Sequence, residues 1–151
     1  MAFALSLSPE EALDYLARIH SILILHTPPP AEIIEQKLYI HTLGFPDHPE
    51  LMQGCHEILE EFGFTPETFP AFAIQGYVKI AEVIKYESTR FECDLDAHGH
   101  AESLFSYQKK LNISSQIWGL RFTDTYIFNE PILDILPIFS DDSDSFWETN
   151  L

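Results

Sequence analysis

The stretch ECDLDAHGH carries the kinds of side chain that bind transition metals. Four acidic or histidine residues occupy every second position in it: Asp94, Asp96, His98 and His100. A zinc site needs about three or four such ligands within about 2.0–2.3 Å of the ion, so these would converge only if the stretch were extended. Gly99 and the helix start indicated by HAES argue against a straight strand. We therefore interpret the stretch as a polar loop, with a bound divalent metal as the alternative, and a weak adventitious nickel or zinc site is compatible with its histidines.

Other common patterns of catalytic or cofactor-binding residues are not found in the sequence. The chain contains no Ser-His-Asp order, no glycine-rich phosphate loop and no CxxC pair. We accordingly predict that the protein carries no cofactor.

The end of the chain combines acidic residues with two aromatic ones. The segment SDDSDSFWETNL lacks packing periodicity, which predicts a flexible tail over residues 140–151 after one domain over residues 1–139. Phe146 and Trp147 suit a short docking peptide for a partner's groove or for the chain's own cleft. The alternative is a solvated tail with an incidental aromatic pair.

Composition restricts the classes of partner. The 151 residues include 24 acidic and 8 basic ones, a formal net charge of −16, and 46% are hydrophobic. Such a surface repels phosphate backbones and anionic lipids, which disfavours general nucleic-acid binding and favours a basic protein partner. The longest apolar run, ILIL, is far shorter than the roughly 20 residues that a membrane span needs. We expect a cytoplasmic protein with reduced thiols and no membrane partner.

The elements alternate between strands and helices. FALSL has the alternation of a short strand, and SPEEALDYLARIHSI has a helix start with Ser8 as N-cap and Pro9 in the first turn. ILILHT and KLYIHTL are typical of strands, and DHPELMQGCHEILEEFGF predicts a helix that ends at Gly63. AFAIQGYVKIAEVIKYE predicts further strand structure, AESLFSYQKKLNI a helix, and SQIWGLRFTDTYIFNEPILDILPI two strands with a turn near Thr123 and Asp124.

Four of these segments together resemble the ASCH domain of the PUA-like superfamily. They are FALSLSPEEALDYLARIHSI, LYIHT, GYVKIAEVIKYE and IWGLRFTDTYIFNEPILDILP, and the resemblance covers most of the chain from Phe3 to Pro137. It implies an α+β fold, a small mixed β-barrel with two to three flanking helices and a cleft on one side. Members of the family are associated with RNA or modified nucleosides, and one branch resembles amidohydrolases that deacetylate acetylated cytidine.

The same resemblance bears on activity. The family signature GxKxxExR falls on RIHSILIL, where Arg18 takes the Gly position, His20 the Lys, Leu23 the Glu and Leu25 the Arg. Replacing the Glu and Arg by leucines removes the polar constellation that such catalysis needs. We therefore expect a binding function more than an enzyme. His20 and Glu82, in IAEV, are the weak candidates for a residual hydrolase.

The resemblance also implies which residues line the cleft: Ser6, His20, His26, Thr27, His41 and Trp118. The histidines would form a polar pocket for a small nucleotide-like ligand, or they would be partly buried and hydrogen-bonded to backbone. The sequence thus predicts a non-catalytic binding or regulatory domain that uses its cleft or its acidic surface. The alternatives are a nucleoside-binding module and a residual amidohydrolase.

Overall fold

The computed structural model describes residues 2–110, 116–136 and 146–149. Six strands form one sheet: β1 (Ala2–Leu7), β2 (Ile22–Leu25), β3 (Lys37–Thr42), β4 (Ile74–Lys85), β5 (Trp118–Ile132) and β6 (Phe146–Thr149). The helices are α1 (Pro9–Leu16), α2 (Pro49–Glu61), α3 (Ser88–Cys93), α4 (Leu95–His98) and α5 (Leu104–Lys110), with a short 3-10 helix at Ala31–Ile33.

The sheet is mixed and curls into a half-barrel. Its strand order is β2-β5-β4-β3-β1-β6, with β1 parallel to β3 and every other pair antiparallel. Strands β2 and β6 are therefore the two edges. This confirms the predicted α+β class and barrel-like architecture. Five helices flank the described sheet instead of two or three, because the short helices α3 and α4 occupy most of residues 92–100, which were predicted as a polar loop.

The first helix begins where its sequence predicts. Ser8 has extended backbone and its side chain accepts a hydrogen bond from the Glu11 amide, while Pro9 occupies the first turn. Its buried face consists of Pro9, Ala12, Leu13 and Leu16. This face packs into the main core inside the curl, together with Leu5, Leu23 and Phe122.

The predicted turn near Thr123 and Asp124 is wrong. Strand β5 runs through this point for 15 residues, from Trp118 to Ile132. Register against β4 shifts between the pairs Lys79 with Asp124 and Ile80 with Phe122, so Thr123 is an extra residue in a bulge. A bulge bends and twists a strand without ending it, which accounts for polar turn-type residues inside a strand.

The C-terminal strand is a second difference. Residues 146–149, predicted to belong to a flexible tail, pair antiparallel with β1, with Ala4 opposite Trp147 and Leu5 opposite Phe146. Both aromatic side chains are buried. Burying two large rings supplies the free energy that orders this short segment. The other residues of the predicted tail, 140–145 and 150–151, lie outside the described residues.

Candidate functional site

A cleft of about 370 Å³ lies at the open seam of the half-barrel, between β1 and β2. We call it the seam cleft. Its lining comes from the end of β1, the start of α1 and strand β2, together with one residue after β3: Leu5, Ser6, Leu7, Ser8, Glu11, Tyr15, Leu23, Ile24, Leu25 and Leu43. Most of these side chains are aliphatic. The size is that of a small-molecule site, which typically measures about 300–1,000 Å³. Aliphatic side chains share the walls with polar ones.

Four polar residues line the seam cleft: Ser6, Ser8, Glu11 and Tyr15. Ser8 and Glu11 occupy the two capping-box positions at the start of α1, and the Ser8 hydroxyl donates to a Glu11 carboxyl oxygen over 3.2 Å. Tyr15 packs edge-on against Phe122, with ring centroids 5.9 Å apart. Burial, and then the nearby Asp14 and Glu11 carboxylates, raise the pKa of Tyr15. Its hydroxyl therefore stays protonated and can donate a hydrogen bond.

Ser6 and His41 belong to a buried network on the opposite face of β1. Nδ1 of His41 lies 2.8 Å from the Ser6 hydroxyl, and its Nε2 lies 2.7 Å from the Ile135 carbonyl. Because a carbonyl only accepts, Nε2 carries the proton and Nδ1 accepts from Ser6. Trp147 Nε1 donates to the same Ser6 oxygen over 2.9 Å. Burial lowers the pKa of His41, although its hydrogen bond to Ile135 opposes this shift, so the ring is neutral.

This network changes the interpretation of two predicted residues. Ser6 lines the seam cleft, but its hydroxyl is engaged with His41 and Trp147. Trp147, predicted as a docking residue for a partner, is packed against the chain's own sheet, at 7% exposed. Phe146 and Trp147 pair with β1 as part of the sheet, and neither of them lines the seam cleft.

His20 has an orienting partner that the sequence analysis did not identify. Its Nδ1 lies 2.8 Å from Asp14 Oδ2, and its backbone amide donates to Asp14 Oδ1 over 2.9 Å. Gly99, with φ of +79°, packs against the imidazole. His20 does not contribute to the lining of the seam cleft. The sequence feature that could have indicated this pair is an acidic residue, Asp14, in the last turn of α1, with His20 a few residues later after a turn.

The other predicted cleft residues lie away from this cleft. His26 Nε2 is 3.3 Å from the Tyr107 hydroxyl, which belongs to α5. Thr27 follows it just after β2, and it is not part of the cleft lining either. Trp118 starts β5 opposite Leu25, with Lys85 Nζ 5.8 Å from its ring centroid. The structure therefore brings only Ser6, of the six predicted residues, to the seam cleft.

Glu82, the second weak catalytic candidate, is held in an ion-pair network. Arg121 Nε donates to its carboxylate over 3.0 Å, and Arg90 lies 3.4 Å away. The hydrogen bond from Arg121 is the main cause that lowers the pKa of Glu82. A carboxylate held by two guanidinium groups is a weak base, and Glu82 does not line the cleft.

The alternating acid and histidine residues are not extended, because helices α3 and α4 occupy most of their stretch. Asp94 accepts from the Tyr86 hydroxyl over 2.9 Å and pairs with Arg90. The buried His98 donates from Nε2 to the Phe91 carbonyl and accepts from the His100 amide. Asp96 is exposed on α4. Among the residues that the structure describes, no three such side chains meet as a metal site.

In the described parts of the chain, no helix has the length and apolarity required to traverse a bilayer.

Comparisons with known proteins support the fold. No family model matches the chain, and no curated protein matches its sequence. The crystal structure of ASCH from Zymomonas mobilis is similar, with a TM-score of 0.59 at 12% identity over 99% of this chain and 88% of that one. A Tyr-to-Phe mutant of that protein gives a TM-score of 0.58 at 11% identity over 99% of this chain and 91% of the mutant chain. The chain therefore has an ASCH-like fold, as its sequence predicted.

Proposed function

We propose that this chain is a non-catalytic binding domain whose seam cleft takes a small planar ligand of the nucleoside type. The observation that carries the proposal is the composition of the cleft. Leu23 and Leu25, which stand at the Glu and Arg positions of the signature in the resemblance, both line it. Aliphatic side chains at these two positions favour a ring held by burial over the acid–base chemistry that a Glu and an Arg would supply there.

The shape of the seam favours a flat ligand with a hydrogen-bonding edge. Strand β2 is an edge of the sheet, so part of its backbone N–H and C=O groups point away from β5. Leucine side chains from β1 and β2 supply the walls. A heteroaromatic base presents apolar faces to such walls and polar atoms to such an edge.

The polar side chains narrow the ligand further. A carboxyl group at Glu11 accepts from exocyclic amino groups, as acidic side chains do with cytosine. Among the described residues that line the seam cleft, none is basic, so nothing there neutralises a phosphate. We therefore expect a nucleoside or free base that carries an amino group to bind better than its phosphorylated form.

Calorimetric titration of the full chain with cytidine, uridine and cytidine 5′-monophosphate tests this proposal. We expect cytidine to bind more tightly than the other two. Glu11→Gln, which keeps a capping-box residue, should weaken cytidine binding about tenfold or more, as expected for loss of a hydrogen bond to a charged group. Glu60→Gln makes the same charge change on the exposed surface of α2 and should have no effect. Absence of binding, or equal effects of the two substitutions, would contradict the proposal.

The pairing of Asp14 with His20 favours a second candidate, a residual hydrolase with His20 as general base. A carboxylate that holds Nδ1 leaves Nε2 as the basic nitrogen, as in acid–base dyads. Incubation with N4-acetylcytidine and detection of released cytidine separates the two functions. The binding proposal predicts no release above background. Release that His20→Ala abolishes would establish the hydrolase instead.

A further inference from the structure

Four aromatic rings form a continuous patch on the outside of the sheet, remote from the seam cleft. We call this patch the aromatic face, and its members are Tyr39 on β3, Tyr77 on β4, and Tyr126 and Phe128 on β5. Tyr39 is opposite Tyr77, and Tyr77 is opposite Tyr126, so the three tyrosines form a row across adjacent strands. The Tyr77 and Tyr126 rings stack with centroids 5.6 Å apart and planes 16° apart.

The β5 end of the aromatic face is open. Tyr126 is 50% exposed, although it is a large aromatic residue in the middle of a strand. Beside it lies a shallow cleft of about 470 Å³ lined by Tyr126, Phe128, Asn129, Glu130 and Ile132. The Tyr126 and Phe128 rings meet edge to face, with centroids 5.8 Å apart, and so form a corner. Among the described residues of this lining, Glu130 alone is charged.

The chain itself places one cation against this row of rings. Lys37 Nζ lies 4.6 Å from the centroid of the Tyr77 ring, within the range of a cation–π contact. The other lysine near this end of β3 and β4, Lys79, lies 3.6 Å from Glu35. Both lysines lie on β3 and β4, and neither lines the cleft beside Tyr126.

We propose that this outer cleft binds an arginine side chain of a basic peptide, with the guanidinium against Tyr126 and Phe128 and paired with Glu130. Arginine stacks on aromatic rings and pairs with carboxylates through a planar fork, which lysine does not have. A net charge of −16 attracts a basic partner and repels the phosphates of a nucleic acid. The site goes beyond the proposed function, because it is a second surface for a macromolecular partner.

Fluorescence anisotropy with the full chain tests the site. The probe is a fluorescein-labelled peptide of four arginines alternating with serines, compared with the same peptide built with lysine. We expect the arginine peptide to bind about three- to tenfold more tightly, with a similar loss for Tyr126→Leu, which keeps an apolar side chain. Glu130→Gln should weaken binding by about the same factor, whereas Glu60→Gln should leave it unchanged.

Three outcomes would overturn the proposal. Equal losses for Glu130→Gln and Glu60→Gln would mean that the peptide follows the overall charge. Unchanged binding by Tyr126→Leu would place the peptide elsewhere. Binding of a labelled oligouridine that Tyr126→Leu abolishes would make the aromatic face a base-stacking surface instead. Cytidine binding at the seam cleft should be the same in wild type and Tyr126→Leu, which keeps the two sites distinguishable.

Discussion

Replacing Trp147 by phenylalanine should destabilise the protein through the buried network that joins β6 to the sheet. Trp147 Nε1 donates to the Ser6 oxygen over 2.9 Å, and Ser6 is 3% exposed. Phenylalanine removes this donor, and the Ser6 hydroxyl then keeps only its hydrogen bond to His41. Loss of one hydrogen bond costs about 0.5–1.5 kcal/mol, so the free energy of unfolding should fall by about that amount. Trp147→Ala also removes the ring, with an expected loss of about 3–5 kcal/mol.

The position of β6 at the edge of the sheet sets an upper limit on these losses. If β6 detaches without unfolding the rest, no substitution within it costs more than its docking free energy. A chain that ends at residue 145 measures this limit directly. Urea unfolding followed by far-UV circular dichroism gives the stability of wild type, of the two Trp147 variants and of the truncated chain.

A double-mutant cycle tests the physical explanation. Ser6→Ala and Trp147→Phe remove the two ends of the same hydrogen bond, so their effects should be non-additive by about 0.5 kcal/mol or more. Additive losses within about 0.3 kcal/mol would refute the argument. So would a stability of Trp147→Phe equal to that of wild type.

Three further predictions concern other parts of the molecule. Burial lowers the pKa of both His41 and His100, so near pH 6.5 the unfolded chain binds protons that the native state does not bind. The free energy of unfolding should therefore fall as the pH is lowered from 7.5 to 5.5. This fall should be steeper in wild type than in His100→Asn. Gly76→Ala would drive a methyl group into the Tyr126 carbonyl and should cost about 1–3 kcal/mol in urea unfolding. Ser8→Ala removes the N-cap of α1 and should cost about 1 kcal/mol by the same assay, whereas Ser8→Asn should not.

Each of these predictions has a contradicting result. If the free energy of unfolding has the same pH slope in wild type and in His100→Asn, burial of His100 does not govern the protonation of this residue. An alanine at position 76 with wild-type stability would show that β4 and β5 can separate there without cost. Equal losses for the alanine and asparagine variants of Ser8 would exclude capping as the cause.

Local patterns predicted the elements whose signals are local. Ser8 and Pro9 mark the start of α1, and alternation marks β1, because the period of a helix or strand is written in neighbouring residues. The order of these elements was sufficient to predict an ASCH-like fold at a sequence identity near 12%. Hydrophobic period and spacing survive when single positions change.

Contacts between distant positions could not be predicted in this way. Trp147 and Ser6 are 141 positions apart, and β6 is four residues long, too short to show an alternation above its acidic surroundings. The helices around Asp94 were not predicted for a similar reason, since α4 has only four residues and is too short to show a helical period. The seam cleft depends on how far the sheet curls. This brings β1 and β2 together although they do not pair, and a sequence pattern carries no such distance.

The seam cleft is the centre of this account, and amide chemical shifts test it most directly. Two-dimensional ¹H–¹⁵N spectra of the full chain would be recorded during titration with cytidine. We predict that the shifts concentrate on Leu5–Ser8 and Leu23–Leu25, the two sides of the cleft. Absence of shifts at saturating cytidine, or shifts confined to residues 126–132 at the aromatic face, would contradict the proposed function.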